Sequence, residues 1–555
     1  MSLHPHQPES VPENTARVAR AAFPRHNLYI RMRDRLGTIF EDGRFVHLFP
    51  RRGQPGESPW RLALVTIFQF LENLSDRQAA DAVRGRIDWK YALSLELEDP
   101  GFDHTVLSEF RTRLVDGGSE RLLLDVLLER FRSEGLLKAG GRQRTDSTHV
   151  LAAVRAVNRF VLVQESMRAA LESLAVVAPE WLRDQAQPEW VERYGHRAEE
   201  YRLPDKKEQR LRVAEVIGAD GAGLLEAVYR SDSPGWLRQV PAVDVLRRVW
   251  VQNYVYKEGR LRFRNEEDGI PPSSRFISSP YDPDAHYSVK RSTCWLGYKA
   301  HLTETCEEDS PNLITNVETT PAPTFDGDAT PLVHQRLRER GLLPETHIVD
   351  GGYLDAELLV DSQREYGVEL LGPVLGDRKW QAKEGKGFDA QSFMIDWEGE
   401  KATCPEGHES ISWTPAIDGR GKHVIKIKFS TKDCRVCPSQ ELCIRSEKKY
   451  VRRAVTVRPR EEHEALNRRR EYQSTQEYAK EYAIRAGIES TISEGVRALG
   501  LRRTRYVGLA RTHLGHVLTA AAIDFLRVGE WLAGTQRGKT RQSRFANLMI
   551  QAAAA

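Results

Sequence analysis

The rhythm of hydrophobic and polar positions changes several times along the chain, and each change marks a different kind of element. Residues 1–25, rich in Pro and His, show little periodicity and read as a flexible start. From about 27 to 135 apolar positions recur at helical spacing. Ser58-Pro59 supplies a cap and a first-turn proline ahead of Leu62, Leu64, Val65, Ile67, Phe68 and Leu71, which predicts a helix. After the short turn Asn73-Leu74, Ser75 caps a second helix over DRQAADAVRG. A third is expected near DHTVLSEFRTRL, with Arg111 and Arg113 exposed beside an apolar stripe. Compact helices joined by short turns fit either a helix-turn-helix DNA reader or an ordinary helical bundle.

Beyond residue 140 the texture is different. GRQRTDSTHV (141–150) reads as a short strand ending at Asp146, and a long, mostly helical stretch with Trp181 and Trp190 runs to about 270. Strand-like segments follow at 295–305, 312–320, 346–353 and 368–374. Helical patterns (ATPLVHQRLRERG and LDAELLVDSQREYG) separate the last three. Strands first adjacent and then alternating with helices predict a mixed α/β sheet. Residues 380–450 break the pattern with Gly, Lys and four cysteines. A strongly helical, basic segment spans about 460–530, and the tail 531–555 reads as loosely ordered.

At 555 residues the chain is long enough for two to four domains. No apolar run approaches the ~18 residues of a membrane span, and MSLHPHQPES lacks the layout of a signal peptide. A cytoplasmic protein is therefore expected, with no membrane partner. The net charge of +3 conceals an asymmetry: residues 451–555 carry 17 Arg and 2 Lys against 9 Glu and 1 Asp. This end, at +9, is the electropositive part, and its arginines suit phosphate contact or a solvated helix face.

Candidate chemistry begins with carboxylates. Asp146 lies where a strand runs out into Ser147-Thr148-His149. Asp350 follows apolar Ile348-Val349 and precedes Gly351-Gly352, which permit a tight exit and close backbone approach. An Asp in either place, taken alone, is more often a turn or helix cap. In EYAIRAGIESTISEGVRALGLRRTRYVG (481–508), one continuous helix would align Tyr482, Arg485, Glu489, Ser493 and Val496, with Ile484, Ile488 and Ile492 facing the core. Three such carboxylates could hold two divalent ions for phosphodiester chemistry. Arg485 and Glu489 alone would be an ordinary surface pair.

RTDST, VDGGY and Tyr482-x-x-Arg485-x-x-x-Glu489, in this order, resemble the DDE transposases of bacterial insertion sequences, in their long, cysteine-containing branch. The resemblance extends from about residue 25 to 528, and includes FPRHNLYIRMRDRL, SPYDPDAHYSVKRSTCWLGYKAHLTET and GIESTISEGVRALGLRRTRYVGL. It implies an α/β, ribonuclease-H-like catalytic core in which Asp146, Asp350 and Glu489 form the DDE triad with Mg2+ or Mn2+, and in which Tyr482 and Arg485 contact DNA. The related signature places a basic residue seven positions after the Glu, where this chain has Val496. Arg497, Arg502, Arg503 and Arg505 lie just beyond and are the candidates for that end-binding role. The implied layout is a flexible start (1–25), a helical DNA-binding domain (26–135), a core (136–380 and 451–530) with a helical insertion at about 151–290, a cysteine-rich insert (381–450) and a loose tail (531–555).

Cys404, Cys434, Cys437 and Cys443 form a compact group in a six-cysteine chain. Four thiolates suit a tetrahedral structural Zn2+ in a zinc-ribbon-like insert, with His408 able to replace one; a reduced thiol cluster without metal is the alternative. No thioredoxin-like setting surrounds the C-x-x-C pair. Cys294 and Cys306 read as core residues. His149, His301 and His347 flank strands and read as structural, Asp326 as a helix cap, and Tyr281-Asp282-Pro283 as a turn.

The implied function is a transposase that binds inverted-repeat ends, cleaves them and transfers the 3′-hydroxyl ends to target DNA, as a dimer or higher oligomer on DNA. Two alternatives are a domesticated nuclease or recombinase with the same core, and a non-catalytic DNA-binding regulator. Three carboxylates placed near DNA phosphates would repel them unless metal neutralised the charge, which disfavours the regulator.

Overall fold

The apolar stretch Trp60–Phe70 lacks the polar face of a surface helix, and the fold buries nearly all of it. The structure, a computed structural model, describes residues 2–6, 9–25, 27–198, 204, 206–376, 379–445 and 451–535. Its front is helical: α1 (Glu13–Ala22), α2 (Leu28–Leu36), α3 (Pro59–Leu71), α4 (Asp76–Gly85), α5 (Ile87–Ala92), α6 (Thr105–Asp116) and α7 (Leu122–Ser133). Helix α1 occupies the stretch that the sequence pattern leaves without a regular element. Its packing residues are small (Ala16, Ala19), so the period is faint, yet they seat against Ile30 and Tyr91.

Two local expectations are corrected here. Ser58 does stand at the cap position of α3, but its hydroxyl makes no cap bond and instead donates to Asp42 at 2.7 Å. The buried Asp42 carboxylate takes the Trp60 N–H at 3.1 Å and so serves as the cap. Arg111 is buried rather than exposed, because its guanidinium pairs with Asp76 at 2.6 Å beside Gln69. Ser75 caps α4 as expected, in a capping box with Gln78.

Strand β1 (Arg142–Leu151) opens the sheet and continues five residues past Asp146. The helical insertion follows: α8 (Arg159–Val177), α9 (Pro179–Gln185), α10 (Glu189–Tyr194), α11 (Lys207–Tyr229) and α12 (Pro241–Asn253), closed by the hairpin β2 (Tyr254–Lys257) and β3 (Arg260–Phe263). It has its own core, built around Leu162, Trp190, Leu246, Trp250 and Tyr254. The sheet resumes with β4 (His286–Lys290), β5 (Thr293–Thr305), β6 (Ile314–Pro321), α13 (Ala329–Glu339), β7 (Thr346–Val349), α14 (Ala356–Tyr366) and β8 (Glu369–Leu371).

Across the sheet the order is β6-β5-β1-β7-β8, with β4 on the same edge of β5 as β6. Strand β5 is antiparallel to its neighbours, whereas β7 and β8 run parallel to β1. This mixed α/β arrangement is consistent with the ribonuclease-H-like core that the resemblance implies. The Tyr281-Asp282-Pro283 loop does more than turn: buried Asp282 accepts the Tyr298 hydroxyl at 2.6 Å, and Tyr281 bonds Glu165 of α8.

A smaller unit follows: α15 (Trp380–Glu384), β9 (Met394–Asp396), β10 (Lys401–Thr403), β11 (Ser410–Ile417), β12 (His423–Phe429), α16 (Thr431–Val436), α17 (Gln440–Cys443) and β13 (Ala454–Val457). Its core centres on Phe393, Ile427, Phe429 and Val455. The chain then returns through α18 (Arg460–Gln473), α19 (Gln476–Ala483), α20 (Ala486–Ala498) and α21 (Leu509–Leu532). Most of the loose tail expected at 531–555 lies outside the described residues.

Helix α21 explains the burial of α3. Fifteen of its residues are buried, and it lies between the front helices and the sheet. Phe525 meets Phe68 at 5.5 Å, and Asp524 accepts the Ile314 N–H of β6 at 2.8 Å. One apolar core therefore runs from the front helices through α21 to the sheet. Since Asp42 holds the first turn of α3, Asp42→Ala is expected to destabilise the protein by about 1–2 kcal/mol, against a few tenths for Ser58→Ala. Urea denaturation followed by circular dichroism checks the ranking, and equal losses would contradict it.

Candidate active site and cysteine cluster

The parallel register between β1 and β7 ends at Thr145 opposite Val349. The next residue on each strand is Asp146 and Asp350, so both carboxylates stand where the two strands part. Asp146 is largely buried: one oxygen accepts the Ser147 N–H at 2.7 Å and the other accepts Arg485 Nη1 at 2.8 Å. Burial pushes its pKa up, and the charge of Asp350 acts in the same direction. Asp350 is exposed and accepts the Gly351 N–H at 2.7 Å. Gly351 is required by close approach, since a Cβ there would lie 2.9 Å from the Pro373 carbonyl oxygen.

Glu489 comes from α20, which crosses β1. The expected single helix over 481–508 is broken instead. At Ile484–Arg485 the backbone bonds tighten, Ile484 N–H to Glu481 O and Arg485 N–H to Tyr482 O, and α20 starts afresh. Arg485 thereby reaches both ways: Nη1 holds Asp146 and Nη2 holds Glu489 Oε1, each at 2.8 Å. Tyr482, at the end of α19, lies against that guanidinium at 5.8 Å and stacks on Tyr478. Ile488 and Ile492 face the core as expected. Among the described residues no group of three or more His, Cys, Asp or Glu side chains stands ready-made around a cation position. Between Asp146 and Glu489 that position is filled by Arg485.

Several neighbours were not legible in advance. His301 is fully buried and bonds Tyr353 and Thr320, at 2.6 and 3.0 Å. Burial pushes its pKa down to about 4. Asp326 caps no helix; it pairs with Lys299 at 2.8 Å and stands beside Ser147 and Gly352. His347 bonds Thr145 and His334 beneath the strand fork, and His149 packs on Trp295. Their partners are far apart in sequence, so no local pattern signals them.

The basic positions separate by role. Arg497 and Arg503 are exposed, and Arg502, also exposed, reaches Thr148, two residues beyond Asp146 on β1, at 2.8 Å. Arg505 braces the front helices, bonding the Leu74 carbonyl and Asn73 over the Phe70 ring.

Cys404, Cys434, Cys437 and Cys443 line one small cavity with His408. Backbone N–H groups point at two of the sulfurs, His408 N to Cys404 Sγ and Arg453 N to Cys434 Sγ, both at 3.4 Å. Burial, with the neighbouring thiols adding to it, pushes Cys443 up to about 11. Cys306 is a core residue, but Cys294 is exposed at the start of β5, where the hairpin with β4 leaves the sheet.

Residues 403–528 match the family model described as "Transposase DDE domain", and residues 17–113 match "Transposase domain (DUF772)". The first span contains Tyr482, Arg485, Glu489 and the four clustered cysteines; Asp146 and Asp350 lie outside both. No curated protein and no solved structure matches the chain.

Five imidazoles around the sheet and α21, four buried and His513 half-buried, are held below the ordinary 6.5 by desolvation. His301 and His334 lie at about 4, His513 and His516 at about 3, and His347 well below its ordinary value. Between pH 6.5 and 4 the unfolded chain binds protons that the folded one refuses, so stability must fall as the pH drops through that window. Urea midpoints measured at several pH values across it are expected to decline steeply; a flat profile would contradict the burial of these groups.

Proposed function

Because the chain belongs to the DDE transposases of insertion sequences, we propose that Asp146, Asp350 and Glu489 hold the divalent ions of a DNA-cleaving and strand-transferring site on a ribonuclease-H-like core. The observation that carries this reading is the junction itself. The β1–β7 register sets two carboxylates side by side, and α20 brings the third to the same guanidinium. The donors are all oxygen, as Mg2+ or Mn2+ prefers. Two such ions, when bound, would activate the attacking oxygen and stabilise the leaving one.

The chain's own residues do the rest. Arg485 offsets the carboxylate charge and is placed to turn to a DNA phosphate, for which its fork is suited. Tyr482 holds that guanidinium from beneath. Arg497, Arg502 and Arg503, exposed near the far end of β1 and α20, offer phosphate contacts, and the +9 charge of residues 451–555 extends them. The substrates in this reading are the element's inverted-repeat ends and a target DNA, held by a dimer or larger assembly so that two ends are cut together. The strand order of the sheet supports the ribonuclease-H-like assignment.

For the insert we propose a structural Zn2+ held by Cys404, Cys434, Cys437 and Cys443, with His408 as the alternative ligand. Four soft donors line one cavity, two of them receiving N–H bonds, and the ion would have to draw them together, since they are not gathered around one point.

The catalytic reading is tested with a plasmid carrying the DNA that flanks the gene on both sides. Cleavage is expected only with Mg2+ or Mn2+. Asp146→Ala, Asp350→Ala and Glu489→Ala should each lower it by more than the roughly 10–100-fold typical of outer-shell changes, with DNA retention in filter binding preserved. Normal cleavage by any one of the three removes that residue from the triad. The zinc reading predicts one Zn per chain by elemental analysis of protein purified without added metal, lost in Cys434→Ser; metal-free protein of full stability would end it.

A further inference from the structure

Beneath the proposed metal ligands lies a buried ion network that the cleavage chemistry does not use. Glu304 on β5 is fully buried, and both its oxygens are taken. Oε1 accepts Arg144 Nε and Nη2 at 2.7 and 2.6 Å; Oε2 accepts Thr491 Oγ1 at 2.6 Å and Arg527 Nη1 at 2.8 Å. Arg144 stands directly across from Glu304 in the β1–β5 register. It lies two residues before Asp146 and so on the same side of the strand.

The far ends of this network grip α20 at two points. Arg144 Nη1 donates to the Ile484 carbonyl at 2.6 Å, at the break where the helix restarts. Arg527 Nη2 donates to Thr491 and Glu494 on the helix body, at 2.7 and 2.9 Å. Glu489 lies between the two grips and is itself 62% exposed, paired with Arg485 on the same segment. Its position over Asp146 is thus set by what holds α20 to the sheet. We propose that Glu304, through Arg144, Thr491 and Arg527, is the positioning centre that fixes the distance between Glu489 and Asp146. The proposal rests on the reading of those two residues as metal ligands.

Stability alone is a poor account of such a cluster, because buried ion pairs repay their desolvation only with good geometry and apolar replacements are often as stable. A metal site, by contrast, tolerates displacements of only about half an ångström. Gly487 supplies an independent sign. A Cβ there would sit 2.1 Å from Arg144 Nη1 and 2.3 Å from its Cζ, so the glycine exists to let the guanidinium lie against the helix. Glycine is a poorer helix former than alanine, a cost that helix stability does not explain.

Gly487→Ala therefore strains the network at one contact, while the Thr491 pair of variants separates positioning from folding. Helix propensity favours the substitution, while the added methyl displaces Arg144 from the Ile484 carbonyl. In the full-length protein the melting temperature is expected to fall, because a buried guanidinium is pushed off its partners, so metal binding is read well below it. Bound Mn2+, measured from the loss of the free-ion paramagnetic resonance signal, should weaken by about tenfold, within the range for outer-shell partners. The Mn2+ concentration for half-maximal nicking of a supercoiled plasmid should rise by the same factor, with kcat reduced and KM for DNA unchanged. Thr491→Val should repeat the defect and Thr491→Ser should restore parental behaviour, which a bulk packing role would not produce. Asp146→Asn and Glu489→Gln serve as controls that lose Mn2+ binding. If the controls lose it while Gly487→Ala and Thr491→Val bind and nick like the parent, the positioning role is overturned and the triad stands. If the controls keep parental Mn2+ binding, the triad reading fails and this proposal falls with it.

Discussion

Like charges brought together at the end of a sheet repel, and the arrangement around Asp146 depends on how that repulsion is offset. Two unit charges about 4 Å apart at a protein surface interact by roughly 4 kcal/mol. The β1–β7 register leaves little freedom, since it makes Asp146 and Asp350 the first residues past the last paired rung. Arg485 supplies the compensating charge and also draws Glu489 to Asp146. It can do so because the helix is interrupted just before it. In one unbroken helix Arg485 would lie a turn from Glu489 as a surface pair; the restart at Ala486 turns it inward to the sheet.

That interruption is held from below. Glu304 is the meeting point of two arginines from opposite ends of the chain, Arg144 from the first strand and Arg527 from the last helix. The last helix also closes the apolar core between sheet and front helices. Strand β1, α20 and the front helices are consequently coupled through α21, and the front helices are not packed as a separate unit. Arg505 reinforces this by spending its side chain on the Asn73-Leu74 turn.

The two insertions are built differently. The helical one has an apolar core of its own and joins the sheet side through the loop before β4, where Tyr281 meets Glu165. The small sheet of 394–457 has a modest core, with sulfur atoms at its margin.

The sequence by itself determined the alternation of elements, the strand that leads into Asp350, the Ser75 cap, the inward face of Ile488 and Ile492, and the grouping of four cysteines. These follow from local periodicity, turn chemistry and spacing, which act within a few residues. It also carried the DDE resemblance, through motifs short enough to be seen in one chain. Tertiary structure alone decided the rest. Asp42 displaced Ser58 as the cap of α3, Arg111 went inside to Asp76, β1 ran on past Asp146, and Asp326 turned to Lys299 rather than to a helix end. Cys294 lost its place in the core because the β4–β5 hairpin leaves the sheet there. Each outcome hangs on a partner tens or hundreds of residues away, and none leaves a periodic mark. The same holds for the Glu304 network, whose members look in the sequence like scattered surface charges. Only once β1, β5, α20 and α21 close on one another do they become a buried set with every oxygen of that carboxylate engaged.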